Sequence, residues 1–225
     1  RRMSAPVTNS PLGPPPGPRL DIIFADEHLA VINKPPRLLS VPGKGPANQD
    51  CVASRAHECF PAASGPLIVH RLDMDTSGLL VLGLTPHAQR ELSRQFEQRL
   101  TSKAYIAVVA GVITLDEGEV SLPIRTDIDN RPHQIVDFTH GKPSITRFAV
   151  LSRDADRTRL RLIPVTGRTH QLRVHCASGL HAPIVGDPLY GDAALAPRML
   201  LHAAELSFNH PVTNTPLHFS CPPDF

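Results

Sequence analysis

The sequence predicts an α+β fold built on a mixed, mostly antiparallel central β-sheet that is flanked by helices and loops. Apolar runs of strand length recur along most of the chain, whereas only three segments carry helix signals. In Thr158–Ile163, leucines alternate with arginines, as expected for a strand with one buried face. Many strands with few helices, and no regular strand–helix alternation, favour this class.

Proline and glycine bound the first elements. Leu29–Asn33 is typical of a short strand that ends before Pro35, because proline cannot continue the hydrogen-bond ladder. Residues 37–49 contain two prolines and two glycines and predict a loop. Asp50 is placed to cap a helix that runs to about Phe60.

The next two elements follow directly on one another. Gly78–Leu84 is apolar without alternation, which predicts a buried strand. Thr85 and Pro86 predict a helix start, as N-cap and first helical residue. The apolar residues of this helix repeat every four positions and are expected to face the core. They are Leu92, Phe96 and Leu100.

The second half of the chain is mostly strands. Residues 168–178 predict a short helix, with Gly179 just past its end. Four further strands are predicted at Ala104–Val109, Ile145–Leu151, Met199–Phe208 and Leu217–Phe219. Residues 1–20 contain six prolines and are expected to form a flexible tail. Residues 21–225 are expected to form a single domain, because no second linker interrupts them.

Charge and composition narrow the function classes. The net charge is only +2, but the chain has 19 arginines against 4 lysines. Arginine pairs with phosphate and stacks on bases, which favours a nucleic-acid partner; a general compositional bias toward arginine is the alternative. No apolar run could span a bilayer and no signal peptide is evident, so we expect a soluble, cytoplasmic protein. The four cysteines lack any Cys-x-x-Cys pair and are expected to be reduced.

The segment from His70 to Gly78 is the first candidate for chemistry. It places two carboxylates and an arginine between two apolar runs. In an extended segment, Arg71 and Asp73 project to the same side, and loops held between strands often carry catalytic groups. An ordinary turn rich in Asp, Ser and Thr is the alternative.

Two further segments carry candidate residues. Val165–His175 places two arginines, two histidines and a glutamine near a predicted helix start, where anions bind; a solvated helix face is the alternative. Tyr105, in Lys103-Ala-Tyr105, could serve chemistry or simply pack. His170 and His175 are five residues apart, which does not favour a shared metal ion. We therefore expect no metal, and no glycine-rich loop indicates a nucleotide cofactor.

In this order, the three segments resemble the signature of the RluA-type pseudouridine synthases. His70-Arg-Leu-Asp73 resembles the catalytic loop, Lys103-Ala-Tyr105 the tyrosine motif, and Gly167-Arg-Thr-His-Gln-Leu-Arg173 the arginine motif. The resemblance covers about residues 21–225 and also includes Val31-Ile-Asn-Lys-Pro35 and Gly186-Asp-Pro-Leu-Tyr190. It implies the pseudouridine synthase catalytic fold, with an active-site cleft across the sheet. From the short tail we expect no N-terminal S4-type domain, which larger members carry.

The resemblance also implies roles for residues. Asp73 is the implied catalytic carboxylate, Arg168 its ion-pair partner, and Tyr105 the residue that stacks on the uracil and acts in deprotonation at C5. Leu172 packs on the other face of the base. Arg71 fills the space that the flipped uridine leaves in the RNA. His70 and Arg173 are grouped with Arg71 and Leu172 as substrate-binding residues.

The implied partner is structured RNA rather than DNA or a membrane. Asn130-Arg-Pro132 and Gly141-Lys-Pro143 resemble the subgroup that modifies both a tRNA anticodon stem-loop and a 23S rRNA stem-loop. Members of that subgroup need no cofactor, and we expect a monomer. The alternatives are a synthase with a single rRNA or tRNA substrate, a catalytically silent RNA-binding module of the same fold, and a metal-dependent hydrolase.

Overall fold

A computed structural model of the protein describes residues 19–225, so the predicted tail lies almost wholly outside the described residues. The strands of this part are β1 (Asp21–Ala25), β2 (Leu29–Lys34), β3 (Ser77–Gly83), β4 (Ser102–Ala110), β5 (Glu117–Ser121), β6 (Ile124–Thr126), β7 (Gln134–Val136), β8 (Ile145–Arg153), β9 (Arg157–Pro164), β10 (Leu201–Asn209) and β11 (Pro216–Ser220). Within it, one mixed sheet has the strand order β1-β2-β3-β10-β4-β9-β8-β5, with β11 beside β10. Strands β6 and β7 form a separate two-stranded sheet, which we call the ribbon.

The sheet is mixed because β3 and β10 run parallel, while its other neighbouring strands within residues 19–225 are antiparallel. The predicted α+β class with a mixed sheet is therefore confirmed. No helix in residues 19–225 is long and apolar enough to cross a membrane.

In the part of the chain that the structure describes, three α-helices accompany the sheet: α1 (Val52–Cys59), α2 (Pro86–Glu97) and α3 (Gln171–Val174), which continues into a π-helical turn at His175–Gly179. The prediction that Asp50 caps α1 is wrong. The cap is Cys51, whose Sγ accepts the Ser54 amide at 3.4 Å while its own amide donates to Ser54 Oγ at 3.0 Å. Asp50 instead pairs with Arg55 at 2.7 Å.

The start of α2 follows the prediction and its end does not. Thr85 Oγ1 accepts the Ala88 amide at 3.1 Å, as expected of an N-cap. Leu92 is fully buried, but Leu100 is 59% exposed, which contradicts the predicted apolar face. The helix ends at Glu97, and the left-handed Arg99 (φ 58°) turns the chain before Leu100.

Strand β3 is buried on both faces and separates two apolar clusters. Leu80 and Leu82 pack on the face that also holds Leu72. Leu79 and Val81 pack on the opposite face, against residues that include Leu92 of α2. All seven residues of β3 are buried, which explains its continuous apolar run. The loop that precedes β3 is therefore joined to a fully buried strand.

Gly78 allows β3 and β10 to come together. Its φ is 110°, and a Cβ at this position would lie 2.3 Å from the carbonyl oxygen of Ala203. Only glycine fits such a close approach without moving the backbone. The catalytic-loop candidate, which ends at Gly78, is thereby held against β10.

Candidate active site

The loop that carries Asp73 is fixed on both sides of that residue. Ser40 Oγ donates to the Leu72 carbonyl at 2.7 Å and accepts the Leu72 amide at 3.1 Å. On the other side, Lys34 Nζ donates to the Met74 carbonyl at 2.9 Å. These contacts give Asp73 a defined position, with its side chain 28% exposed.

Lys34 at the end of β2 is fully buried beneath this loop. Its Nζ also donates to the carbonyls of Pro35 at 2.9 Å and Leu38 at 2.7 Å, so all three of its N–H groups have acceptors. Burial lowers the pKa of Lys34 to about 7, against the opposing effect of Asp75 and Asp73. Lys34 thus ties β2, its following loop and the Asp73 loop together.

The carboxylate of Asp73 lies 3.3 Å from Nη1 of Arg173. Arg173 also makes a two-pronged contact with Asp187, with Nε–Oδ2 and Nη2–Oδ1 distances of 2.8 and 2.7 Å. The side chains of Arg173 and Asp187 are 3% and 0% exposed. A buried Asp187–Arg173 pair therefore presents the remaining edge of the guanidinium to Asp73.

The pKa values follow from this arrangement. Burial disfavours the charge on Arg173, but Asp187 and Asp73 outweigh burial and raise its pKa above the ordinary value. Burial likewise opposes the charge on Asp187, but Arg173 and the amides of Leu189 and Tyr190 lower its pKa below the usual range. Both members of the pair are therefore charged at neutral pH.

The prediction that Arg168 pairs with Asp73 is wrong, because Arg173 makes this contact, while direct substrate binding by Arg173 stays a prediction. Arg168 Nε donates to the Pro143 carbonyl at 3.3 Å. The cause is the helix start: His170 is left-handed (φ 53°), and α3 begins at Gln171 rather than at 168. Arg168 therefore lies on the segment before this bend, while Arg173 lies in α3 with every guanidinium nitrogen bound to a carboxylate.

His70 packs against α2 and β3, and its contact with the substrate stays a prediction. Its ring stacks on Phe96 of α2 with centroids 4.2 Å apart, and its Nε2 accepts the Val81 amide at 3.2 Å. Burial, helped by Lys103, lowers the pKa of His70 to about 3. His70 therefore joins the catalytic loop to α2 and β3, as a structural residue.

This environment predicts an acid-sensitive contribution to stability. Because the ordinary pKa of histidine is 6.5 and that of folded His70 is about 3, unfolding takes up a proton between these values. The free energy of unfolding should therefore fall by up to about 1.4 kcal/mol per pH unit below pH 6.5 through this group. In His70→Gln, which keeps an acceptor but does not titrate, this component should vanish. Urea denaturation of both proteins at pH 7.5, 5.5 and 4.5 tests it, and parallel pH dependences would contradict it.

Tyr105 of β4 packs against apolar clusters on two sides, one of which contains Leu172 of α3. The other cluster contains Leu72. Burial, helped by the charge of Asp73, raises the pKa of Tyr105 well above its usual value, so its hydroxyl is protonated at neutral pH. The structure therefore brings Tyr105 near both the charge of Asp73 and the cluster that contains Leu172, while Arg71 is exposed on the loop of Asp73.

His170 faces Asp73 from the other side. The Tyr190 hydroxyl accepts the Gln134 amide at 2.8 Å, so its own proton is free to point to His170 Nδ1, 2.7 Å away. Neutral His170 then carries its proton on Nε2, which is 3.9 Å from Asp73 Oδ2. Burial lowers the pKa of His170 despite the nearby Asp73, which favours this neutral form.

Sequence reasoning gave no role to Lys34, Asp187 or Tyr190. The signal was present, because Val31–Pro35 and Gly186–Tyr190 both belong to the segments that carried the resemblance. Neither spacing nor periodicity indicates that Asp187 meets Arg173, since their contact depends on how two loops pack.

Comparisons with known proteins identify the family of the chain. The family described as RNA pseudouridylate synthase matches residues 28–178. The Yersinia pestis protein named dual-specificity RNA pseudouridine synthase RluA is 48% identical over 208 residues, covering 91% of this chain and 99% of its own length. Its Escherichia coli K12 counterpart is 46% identical over 216 residues, covering 94% and 97%.

A solved structure agrees as well. That of human RNA pseudouridylate synthase domain containing 1 superposes with a TM-score of 0.77 at 30% identity, covering 95% of this chain and 87% of the human one. The order of motifs, the fold and these matches all point to one family. The chain belongs to the RNA pseudouridylate synthases, isomerases that act on RNA.

Proposed function

We propose that this protein converts uridines of structured RNA stem-loops to pseudouridine, with Asp73 as the catalytic carboxylate. The observation that carries the proposal is the contact of Asp73 with a buried, charged Arg173 beside Tyr105. The reaction breaks the C1′–N1 bond, turns the uracil, joins C1′ to C5 and removes the C5 proton. It needs a carboxylate near C1′, a surface that holds the detached base and an acceptor for that proton.

The Arg173 guanidinium fits the first need. A carboxylate in a site closed by RNA loses water and would tend to take up a proton, whereas a fixed cation within about 4 Å favours its charged form. Asp187 already holds Arg173 in the absence of RNA, so this charge is in place before the RNA binds.

Tyr105 and Leu172 fit the second need. We propose that the uracil lies between the Tyr105 ring and the Leu172 side chain, because Tyr105 packs against the apolar cluster that contains Leu172 and its phenol lies within the influence of the Asp73 charge. A protonated phenol can donate to the base, but it cannot remove the C5 proton unless it first loses its own proton. We propose that Asp73, whose charge already acts on the phenol, accepts the phenol proton once C1′ has left the carboxylate. The phenolate of Tyr105 then removes the C5 proton.

The exposed guanidinium of Arg71 is proposed to enter the RNA where the uridine has left. Arg71 has no hydrogen-bond or ion-pair partner within residues 19–225, and it is two residues from Asp73. Opening the stack costs on the order of a few kcal/mol, and a stacking guanidinium can recover part of it.

We further propose dual specificity, for a tRNA anticodon stem-loop and a 23S rRNA stem-loop. Support comes from relatives that are named dual-specificity RNA pseudouridine synthases, which this chain matches over 97–99% of their length. Residues 21–225 are proposed to act as one catalytic domain, because β1 to β11 contribute to one main sheet and its ribbon. The enzyme is proposed to work as a cytoplasmic monomer, since one chain supplies every residue of the site.

Tritium release tests the function. Both stem-loops, labelled at uracil C5, are incubated with the protein in EDTA, and released label is counted. We expect release from both RNAs, in proportion to the pseudouridine formed. Release from only one RNA would limit the enzyme to a single substrate. Binding without release would favour a silent RNA-binding module, and release that EDTA prevents would indicate a metal enzyme.

A further inference from the structure

Arg37, in the loop after β2, carries buried donors that the protein does not satisfy. Its Nε and Nη1 are buried, and within residues 19–225 neither has a hydrogen-bond partner. These nitrogens carry three N–H groups, and arginine stays protonated at any physiological pH. Burying a charged donor without an acceptor is unfavourable. The position therefore lacks an anionic acceptor that a ligand could provide.

The backbone at Arg37 is a second, independent observation. Its φ is 63°, in the left-handed region that suits glycine and disfavours residues with a Cβ. Strained positions of this kind are concentrated at ligand-binding and catalytic sites. Glycine would fit this bend without strain, so the arginine side chain is expected to have a use.

The location of Arg37 indicates the ligand. Arg37 lies midway between Lys34 and Ser40, the two residues that hold the carbonyls of Met74 and Leu72. Those carbonyls flank Asp73, so the Arg37 loop lies directly against the catalytic loop. Any RNA that delivers a uridine to Asp73 must bring its phosphates close to this loop.

We propose that Arg37 binds a phosphate of the RNA backbone next to the flipped uridine. The inference rests on the proposed function and adds to it a contact that anchors the RNA at the catalytic loop. A phosphate supplies several charged oxygen acceptors, which match the unsatisfied donors of a guanidinium. A phosphate contact fixes the register of the RNA without reading its sequence.

The test compares the wild type with Arg37→Gln and with a matched control, Arg90→Gln. Arg90 is exposed on α2, which packs through Leu92 on the opposite face of the sheet. Affinity for a stem-loop is measured by filter binding between roughly 50 and 300 mM salt, a range over which rising salt weakens binding through phosphate contacts. Arg37→Gln should weaken binding roughly tenfold and reduce the slope of log Kd against log salt by about 0.7–0.9. Arg90→Gln should change neither; an Arg37→Gln variant with the wild-type affinity and slope would overturn the proposal.

Arg37→Gly separates binding from folding. Glycine accepts φ 63°, so its melting temperature should equal or exceed that of the wild type, while its RNA affinity should fall as in Arg37→Gln. Wild-type affinity in the glycine variant would also overturn the proposal. The two hypotheses fail differently: tritium release by the wild type with Arg37-independent binding would refute only the phosphate contact. Arg37-dependent binding without release from any RNA would refute only the proposed function.

Discussion

Replacing Asp73 with asparagine should lower the rate of pseudouridine formation by about four orders of magnitude or more, while RNA affinity changes less than about twofold. Asparagine has nearly the shape of aspartate, so the loop held by Lys34 and Ser40 should keep its structure. It has neither the charge nor the nucleophilic oxygen that the proposed reaction needs at C1′. Single-turnover tritium release and filter binding on the same protein preparation measure the two quantities.

Asp75→Asn is the matched control for this experiment. Asp75 lies two residues further along the same loop, and burial raises its pKa against the opposing charges of Arg173 and Lys34. Because no catalytic role is proposed for it, its loss should reduce the rate less than about tenfold. Undiminished turnover in Asp73→Asn, or an equal loss in both variants, would refute the assignment of Asp73.

Arg173→Met should reduce the free energy of unfolding by about 3–5 kcal/mol, because it leaves the buried Asp187 carboxylate without a counter-charge. It should also abolish turnover, since Asp73 loses the cation that favours its charged form. Urea denaturation gives the first quantity and single-turnover tritium release gives the second.

The double variant Arg173→Met/Asp187→Asn separates stability from catalysis. Removing both buried charges should restore a large part of the lost stability, because no uncompensated ion remains. Turnover should stay abolished, since Asp73 still lacks its cation. Recovery of turnover together with stability would show that Arg173 acts only by supporting the fold.

Arg168→Met tests the corrected assignment directly. Arg168 is partly exposed and donates to the Pro143 carbonyl, so its loss should change the free energy of unfolding by less than about 1 kcal/mol. Its rate at saturating RNA should remain far above that of Arg173→Met. The reverse order of rates would restore Arg168 as the functional partner of Asp73.

Hydrophobic periodicity and capping residues predicted the elements whose signals lie within a few residues of one another. The buried run at β3, the Thr85 cap of α2 and the alternation in β9 depend on neighbours a few residues apart, so the local sequence contains the necessary information. Strands β1, β5, β6 and β7 were not predicted, because they are short and mostly exposed or half-buried, and their pairing depends on distant partners.

The arginine motif shows where prediction from the sequence ended. Arg168 and Arg173 occur in one motif, and the resemblance assigned the ion pair with Asp73 to Arg168, whereas Arg173 makes it. Successive helical residues are rotated by about 100°, so a start displaced to Gln171 changes which side chain faces the loop. The left-handed bend at His170 that displaces the start is visible only in three dimensions.

The sequence alone determined the family, the α+β class and the identity of Asp73, Tyr105 and Leu172 as candidates, because motif order and local periodicity contain that information. Only the tertiary structure decided that Arg173 rather than Arg168 meets Asp73, that Asp187 supports it, and that His70 faces α2. These contacts join residues far apart in the chain, and the packing of several loops, rather than any short pattern, sets the direction of each side chain.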